Sequence, residues 1–276
     1  DITQPLLNFG RCIVHFAVDT DEIYMTTKLD GANTFFLPFN LGNNYGKGNP
    51  PNAFGHKTSY FWQDILKRES LANIIQHFVR FDGAENDALN KKTLYFPRYH
   101  QLEVVRKLIK DTTQNGAGKT YLIQHSAGSG KSNSITWLAY QLIEAYPESD
   151  AVAGTKTVNQ PLFDSVIVVT DRRLLDKQLR DNIKDFSEVK NIVAPAYKSV
   201  DLKSALENGK RIIVTTIQKF PFIIEGISDM SNKQFAVIVD EAHSSQSGRS
   251  ADKLNEAIGN TGEDQDYVDY QEKMLQ

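Results

Sequence analysis

The run Gln124-His-Ser-Ala-Gly-Ser-Gly-Lys-Ser132 constrains this chain more than any other stretch. It follows the apolar residues Tyr121-Leu-Ile123 and opens a helical pattern with apolar positions at Ile135, Leu138, Ala139, Leu142 and Ile143. Strand, glycine-rich turn, Lys-Ser and amphipathic helix, in that order, form the setting in which a loop cradles phosphate. Gly128 and Gly130 let the backbone curl with its N–H groups turned inward, and the helix N-terminus behind them adds about half a positive charge. Ala127, Gly128, Ser129, Gly130, Lys131 and Ser132 are therefore the candidate cofactor-binding segment. Lys131 is placed to reach the β- and γ-phosphates, and the Ser132 hydroxyl to ligate Mg²⁺. The pattern G-x-x-x-x-G-K-[ST] opens on glycine, and here His125 stands at that position.

Downstream the chain alternates apolar runs with helical patterns. Ser165-Val-Ile-Val-Val-Thr170 precedes Asp171, a candidate N-cap, and a helix bearing Leu174, Leu175, Leu179 and Ile183. Asn191 to Ala196 has the makings of a short strand, and Leu202 to Leu206 of a brief helix that Gly209 ends. Arg211-Ile-Ile-Val-Thr-Thr216 and Phe235-Ala-Val-Ile-Val-Asp240 complete the set. With Tyr121 to Ile123 as the first, four apolar strands alternating with helices predict an α/β fold. Its sheet is parallel, with ligands at the carboxyl ends of the strands.

Asp240 and Glu241 close the last apolar run, so they are expected at the same sheet edge as Lys131 and Ser132. Two carboxylates there suit two tasks: Asp240 holds Mg²⁺, and Glu241 orients and activates an attacking water. His243 is placed to report the γ-phosphate state to a neighbouring element. Gln101 lies just inside a helix that starts near Tyr99. Its amide can donate and accept at once, as an adenine edge requires, which favours ATP over GTP; a solvated polar residue fits the same position. Arg172, Arg173, Lys177 and Arg180 form a basic cluster, either a solvated helix face or a phosphate contact at a strand-to-helix turn. Thr215, Thr216 and Gln218 occupy the equivalent turn one unit later, where they suit either a nucleic-acid backbone or a helix cap.

At 276 residues the chain can bury a real core, and 40% hydrophobic with 24% charged residues are ordinary globular values. A net charge of -3 gives no global basic footprint, so nucleic-acid contact must come from a local track of Lys and Arg. The single cysteine, Cys12, excludes an internal disulfide and a cysteine-built metal site and suits a reducing cytoplasm. No apolar run approaches the roughly 18 residues of a membrane helix, so no membrane partner is expected.

The first 40 residues or so read as β-rich. Arg11 to Val18 is expected as a buried strand, Glu22 to Lys28 as a second, and Thr34 to Phe39 as an extended run after the Asp30-Gly31 turn. Leu41 to Pro51 is a turn-rich loop. Ser59 to Trp62 leads into a helix carrying Ile65, Leu66, Leu71, Ile74, Ile75 and Phe78, with a break near Ser70. Phe81 to Lys92 reads as a linker, and Lys110 to Gly118 as a loop after the helix bearing Leu102, Val105, Leu108 and Ile109. Glu148 to Asp164 has no periodicity and is expected as a surface excursion.

Five segments stand in the order of superfamily-two helicase motifs: Arg98-Tyr-His-Gln101, His125 to Ser132, Val168-Val-Thr-Asp-Arg-Arg173, Val214-Thr-Thr-Ile-Gln-Lys-Phe220 and Val239-Asp-Glu-Ala-His243. Their wording resembles the motor (R) subunit of type I restriction enzymes. So do Met25-Thr-Thr-Lys-Leu29, Phe36-Leu-Pro-Phe-Asn-Leu-Gly42 and Gly48-Asn-Pro50 near the start. The likeness runs from about Phe9 to Gly248.

It implies an ATP- and Mg²⁺-dependent translocase on double-stranded DNA, with methyltransferase and specificity subunits as partners, in the cytoplasm. Under it, residues 91–276 form a first RecA-like P-loop ATPase domain, and residues 1–90 an α+β segment from a nuclease domain and its connector. Lys131, Asp240, Glu241 and His243 would be catalytic, with Gln101 and Arg98 joining the phosphate loop around the nucleotide and Ser132 and Asp240 at the metal. Arg172, Arg173, Thr215, Thr216 and Gln218 would face DNA. The family's Asp … Glu-x-Lys nuclease site is not matched: Glu69 and Glu85 lack the lysine, and Glu188-Val-Lys190 falls in the ATPase region. That site is expected upstream, and the second RecA-like domain with its arginine finger downstream, leaving this stretch nearly inactive in hydrolysis. Another superfamily-two motor of the remodeller type, or a nucleotide-gated binding module, are the alternatives.

Overall fold

A computed structural model of the chain describes residues 4–44, 46–83, 86–126, 128–152, 156–170, 193–196, 198–220, 233–240 and 268–271. Ala127, Glu85, the helix expected after Asp171 with its basic cluster, Glu241 and His243 lie outside the described residues. The chain forms two compact units. One comprises Asp1–Val104, Ile123–Lys131 and Asp269–Gln276, the other Val105–Leu122 and Ser132–Val268.

In the first unit, β1 (His15–Val18), β2 (Ile23–Thr26) and β3 (Leu37–Pro38) make an antiparallel sheet, with His15 opposite Thr26 and Tyr24 opposite Pro38. The strand expected as buried from Arg11 is shorter and only half covered: Val18 is 42% exposed. The burial falls instead on β2, whose Ile23 and Met25 are inside. Phe39 follows β3, is fully buried, and stands edge-on to Phe16, Phe61 and Tyr99 at centroid distances of 5.3, 6.4 and 5.8 Å. Such pairs add to the area they remove from water.

The asparagine-rich run after β3 is ordered by its own amides. Asn40 Oδ1 accepts the Ile23 N–H at 2.8 Å. Asn49 Oδ1 accepts the Leu41 N–H at 2.8 Å, and Asn49 Nδ2 donates to the Asp21 carbonyl at 2.8 Å.

Three sequence expectations shift here. A single π-type turn, Phe61–Ile65, precedes α1 (Arg68–His77), so the break comes at Leu66-Lys67 rather than Ser70, where Lys67 turns extended (ψ 144°). The expected linker is framed by a ribbon of β4 (Arg80–Asp82) and β5 (Thr93–Tyr95), with the Arg80 guanidinium 4.4 Å over the Tyr95 ring. Helix α2 (Tyr99–Asn115) continues through Lys110 into the stretch expected as loop, and ends where Gly116 takes a left-handed φ of 81°.

The second unit holds a four-stranded parallel sheet. β7 (Ser165–Thr170) and β9 (Ile212–Thr216) are central, flanked by β10 (Phe235–Val239) on one side and β8 (Val193–Pro195) on the other. Every residue of β7 and β9 is buried, the two-faced covering that lets a parallel strand be apolar at each position. Helix α4 (Ser199–Glu207) links β8 to β9, and its Ala205 packs on Ile167, Val169 and Ile213.

Tyr121–Gln124, expected as a strand of this sheet, is β6 of a separate two-stranded sheet with β11 (Val268–Gln271). Leu122 and Ile123 are 51% and 36% exposed, so β6 lacks the two-sided burial of β7. The fourth strand of the parallel sheet is β8 instead. Helix α3 (Lys131–Ile143) follows the glycine-rich turn and buries Trp137, Leu138, Ala139, Leu142 and Ile143.

Candidate nucleotide-binding site

In the first unit, the glycine-rich turn between β6 and α3 meets the first turn of α2. Gly128 and Gly130 have φ values of 76° and 84°, a left-handed backbone that side chains disfavour. A Cβ added at Gly128 would meet no atom within 4 Å, so space lies open beside the loop.

Gln101 is 3% exposed, which removes the solvated reading of that residue. Its Nε2 donates to the Ser129 carbonyl at 3.1 Å and to the Gly130 carbonyl at 3.0 Å, and its Oε1 accepts the Arg98 N–H at 2.9 Å. His100 Nε2 also lies 3.1 Å from the Ser129 carbonyl.

These bonds fix directions. A trans peptide points its C=O and its N–H opposite ways. Holding the Ser129 carbonyl toward α2 turns the Gly130 N–H away from it, and holding the Gly130 carbonyl does the same to the Lys131 N–H. Two consecutive amide donors are thus aimed by side chains on a helix, in the manner an anion-binding loop requires. The Ser129 hydroxyl is buried and pairs with nothing among the described residues, an orphan polar group on the same loop.

Lys131 and Ser132 open α3, and the Ser132 carbonyl accepts the Thr136 hydroxyl at 2.7 Å. Asp240, 9% exposed, follows β10, and its N–H extends the ladder to the Val169 carbonyl at 2.8 Å. No cluster of three or more His, Cys, Asp or Glu that would cage a metal exists among the described residues. Mg²⁺ at a nucleotide takes one or two carboxylates plus phosphate oxygens and water, so a single buried aspartate and a serine hydroxyl fit that ion.

Thr215 and Thr216 are 0% and 2% exposed, so neither presents its side chain to solvent, while Gln218 beyond them is exposed. Sequence reasoning missed His100. Its only signal is adjacency to Gln101, and nothing in the spacing announces that either residue meets a loop 29 positions on.

The match to known proteins follows the same stretch. The chain belongs to the SWI2/SNF2 ATPase family, whose model matches residues 100–262. It is 31% identical over 199 residues to the type I restriction enzyme HindI endonuclease subunit of Haemophilus influenzae, covering 67% of this chain and 17% of that one. A second relative, in Methanocaldococcus jannaschii, bears the name "Putative type I restriction enzyme MjaVIIIP endonuclease subunit". It is 26% identical over 219 residues, or 71% of this chain and 20% of its own. The chain therefore spans about a fifth of the length of these relatives. Among solved structures, the UvsW helicase from bacteriophage T4 aligns over 71% of this chain and 57% of its own, at 14% identity and a TM-score of 0.44. Among the described residues no helix is long and apolar enough to cross a membrane.

Proposed function

We propose that this chain is the nucleotide-binding part of an ATP-driven translocase on double-stranded DNA, working in the cytoplasm beside the methyltransferase and specificity subunits of a type I restriction system. The observation that carries the reading is the loop from Gly128 to Lys131, with two carbonyls held from α2 and the Ser129 hydroxyl left without a partner among the described residues. Family membership and the names of the relatives support it.

In this reading the Gly130 and Lys131 N–H groups and the Lys131 ammonium bind the β- and γ-phosphates. Ser132 and Asp240 hold Mg²⁺, which when bound neutralises charge on the phosphate oxygens. Glu241 orients the attacking water and His243 reports the nucleotide state. Arg172, Arg173 and Gln218 face the DNA backbone. Thr215 and Thr216, buried at the end of β9, support the turn that presents Gln218.

Titration of the chain with a fluorescent ATP analogue and Mg²⁺ tests the site. Lys131→Ala should weaken binding at least tenfold while far-UV circular dichroism stays unchanged, because a charged hydrogen bond to phosphate contributes about 1.5–3 kcal/mol. Equal affinity in that variant would remove the nucleotide from this loop. Duplex DNA should raise the hydrolysis rate of a complete motor subunit carrying this stretch, and an ATPase indifferent to DNA there would point to a nucleotide-gated binding module instead.

A further inference from the structure

His125 is the one departure of the phosphate loop from its pattern, and the proposed function gives it no task. It lies in the first unit, as do His100 and the turn. The His125 ring stands edge-to-face against that of His100, with centroids 5.6 Å apart and planes at 81°. His100 in turn places Nε2 at 3.1 Å from the Ser129 carbonyl. A carbonyl only accepts, so Nε2 carries a hydrogen and donates. The Ser129 carbonyl has two lone pairs, and Gln101 and His100 take one each.

We propose that His100 and His125 are positioning residues that bracket the phosphate loop: His125 sets the His100 ring, and His100 sets the Ser129 carbonyl and so the Gly130 N–H. Gln101 alone would leave the Ser129–Gly130 peptide held by a single amide on a rotatable stem. A second donor of different shape, itself braced by a ring fixed to the loop's own beginning, limits rocking of that peptide. The bracket closes on itself, since His125 enters the loop and Ser129 lies near its end. The glycine at the first pattern position gives the chain a sharp turn through backbone freedom. Here a ring contact holds that position, so His125 replaces conformational licence with a packing constraint. This inference rests on the nucleotide reading for what the loop binds, but not for how the loop is held.

Two measurements on the intact chain separate those parts. The first is hydrogen–deuterium exchange of the 128–132 amides without nucleotide. The second is affinity for a fluorescent ATP analogue with Mg²⁺. A neutral hydrogen bond and an aromatic pair are each of a size that changes an equilibrium about three- to tenfold. His100→Ala and His125→Ala should therefore each speed loop exchange and weaken binding by about that factor. The double variant should be no worse than the worse single one, because the two residues act in series. His125→Phe should restore most of what His125→Ala loses, since it keeps the ring. His100→Phe should not, since it keeps the ring contact but has no donor.

Additive losses in the double variant would overturn the bracket. So would unchanged loop exchange in His125→Ala, or tighter nucleotide binding in His125→Gly. Should the changes in exchange appear in a chain that binds no nucleotide analogue, the bracket stands and the nucleotide reading falls.

Discussion

A primary amide offers two donors and one acceptor atom, and in Gln101 each is engaged: Nε2 on the Ser129 and Gly130 carbonyls, Oε1 on the Arg98 N–H. The side chain is therefore committed to the loop's backbone, and reading an adenine edge would require it to give up a donor. Gln101→Ala should weaken ATP and GTP analogues alike, by about three- to tenfold, because in the proposed site it releases amides that both nucleotides would use. Competition binding against the two bases measures this, and a loss confined to ATP would return the side chain to the adenine edge. Residue type and helix position make Gln101 conspicuous in the sequence. Its partners are not legible there, because the 28 positions to Ser129 carry no periodic signal linking the two. The same holds for His100, which reads as one more polar residue in an opening turn.

At the scale of elements, the sheet's amino-terminal edge is tied by one carboxylate. Asp164, just before β7, accepts from Lys156 Nζ at 2.7 Å, Lys233 Nζ at 3.3 Å and the Gln234 N–H at 2.9 Å, so the starts of β7 and β10 are held together. Burial works to raise its pKa, but the Lys156 hydrogen bond, the Gln234 N–H and the charges of both lysines outweigh that and keep it below the ordinary 3.8. A carboxyl depressed in the folded state stabilises the fold above its unfolded pKa, and that stability is lost as pH falls through the folded value. Asp164→Asn should thus cost about 1–2 kcal/mol in urea melts at pH 7. The gap to wild type should narrow as pH falls from 3.8 toward the lower folded value, where the wild-type carboxylate takes up its proton. A gap constant down to pH 2 would mean that the charge of Asp164 is irrelevant.

Strands β7 and β9 are legible in the sequence because burial on two faces demands unbroken apolar runs, and β10 shows the same kind of run although its residues are only partly covered. The place of β6 is not legible, because Tyr121-Leu-Ile123 is too short a run to distinguish a strand of that sheet from an exposed one.

For the whole molecule, the α/β class and the glycine-rich turn that opens α3 could be read from the sequence, since both depend on local pattern. The two-unit division could not, as it places residues 123–131 with the first 104 and depends on contacts distant in sequence. The order β10-β7-β9-β8 has a further consequence for handling the protein. Among the described residues β10 pairs only with β7 and no strand lies along its other edge, and Val237 midway along it is 38% exposed. Bare apolar edges recruit further strands from other molecules, and natural proteins blunt them with a lysine. A net charge of -3 spread over 276 residues offers little repulsion against such encounters. Light scattering of the chain should therefore rise steeply with concentration, and Val237→Lys should flatten that rise without lowering the melting temperature. If the lysine variant self-associates like its parent, the edge is not the route. If it stays dispersed, the colloidal behaviour of the protein is set by the edge of one strand.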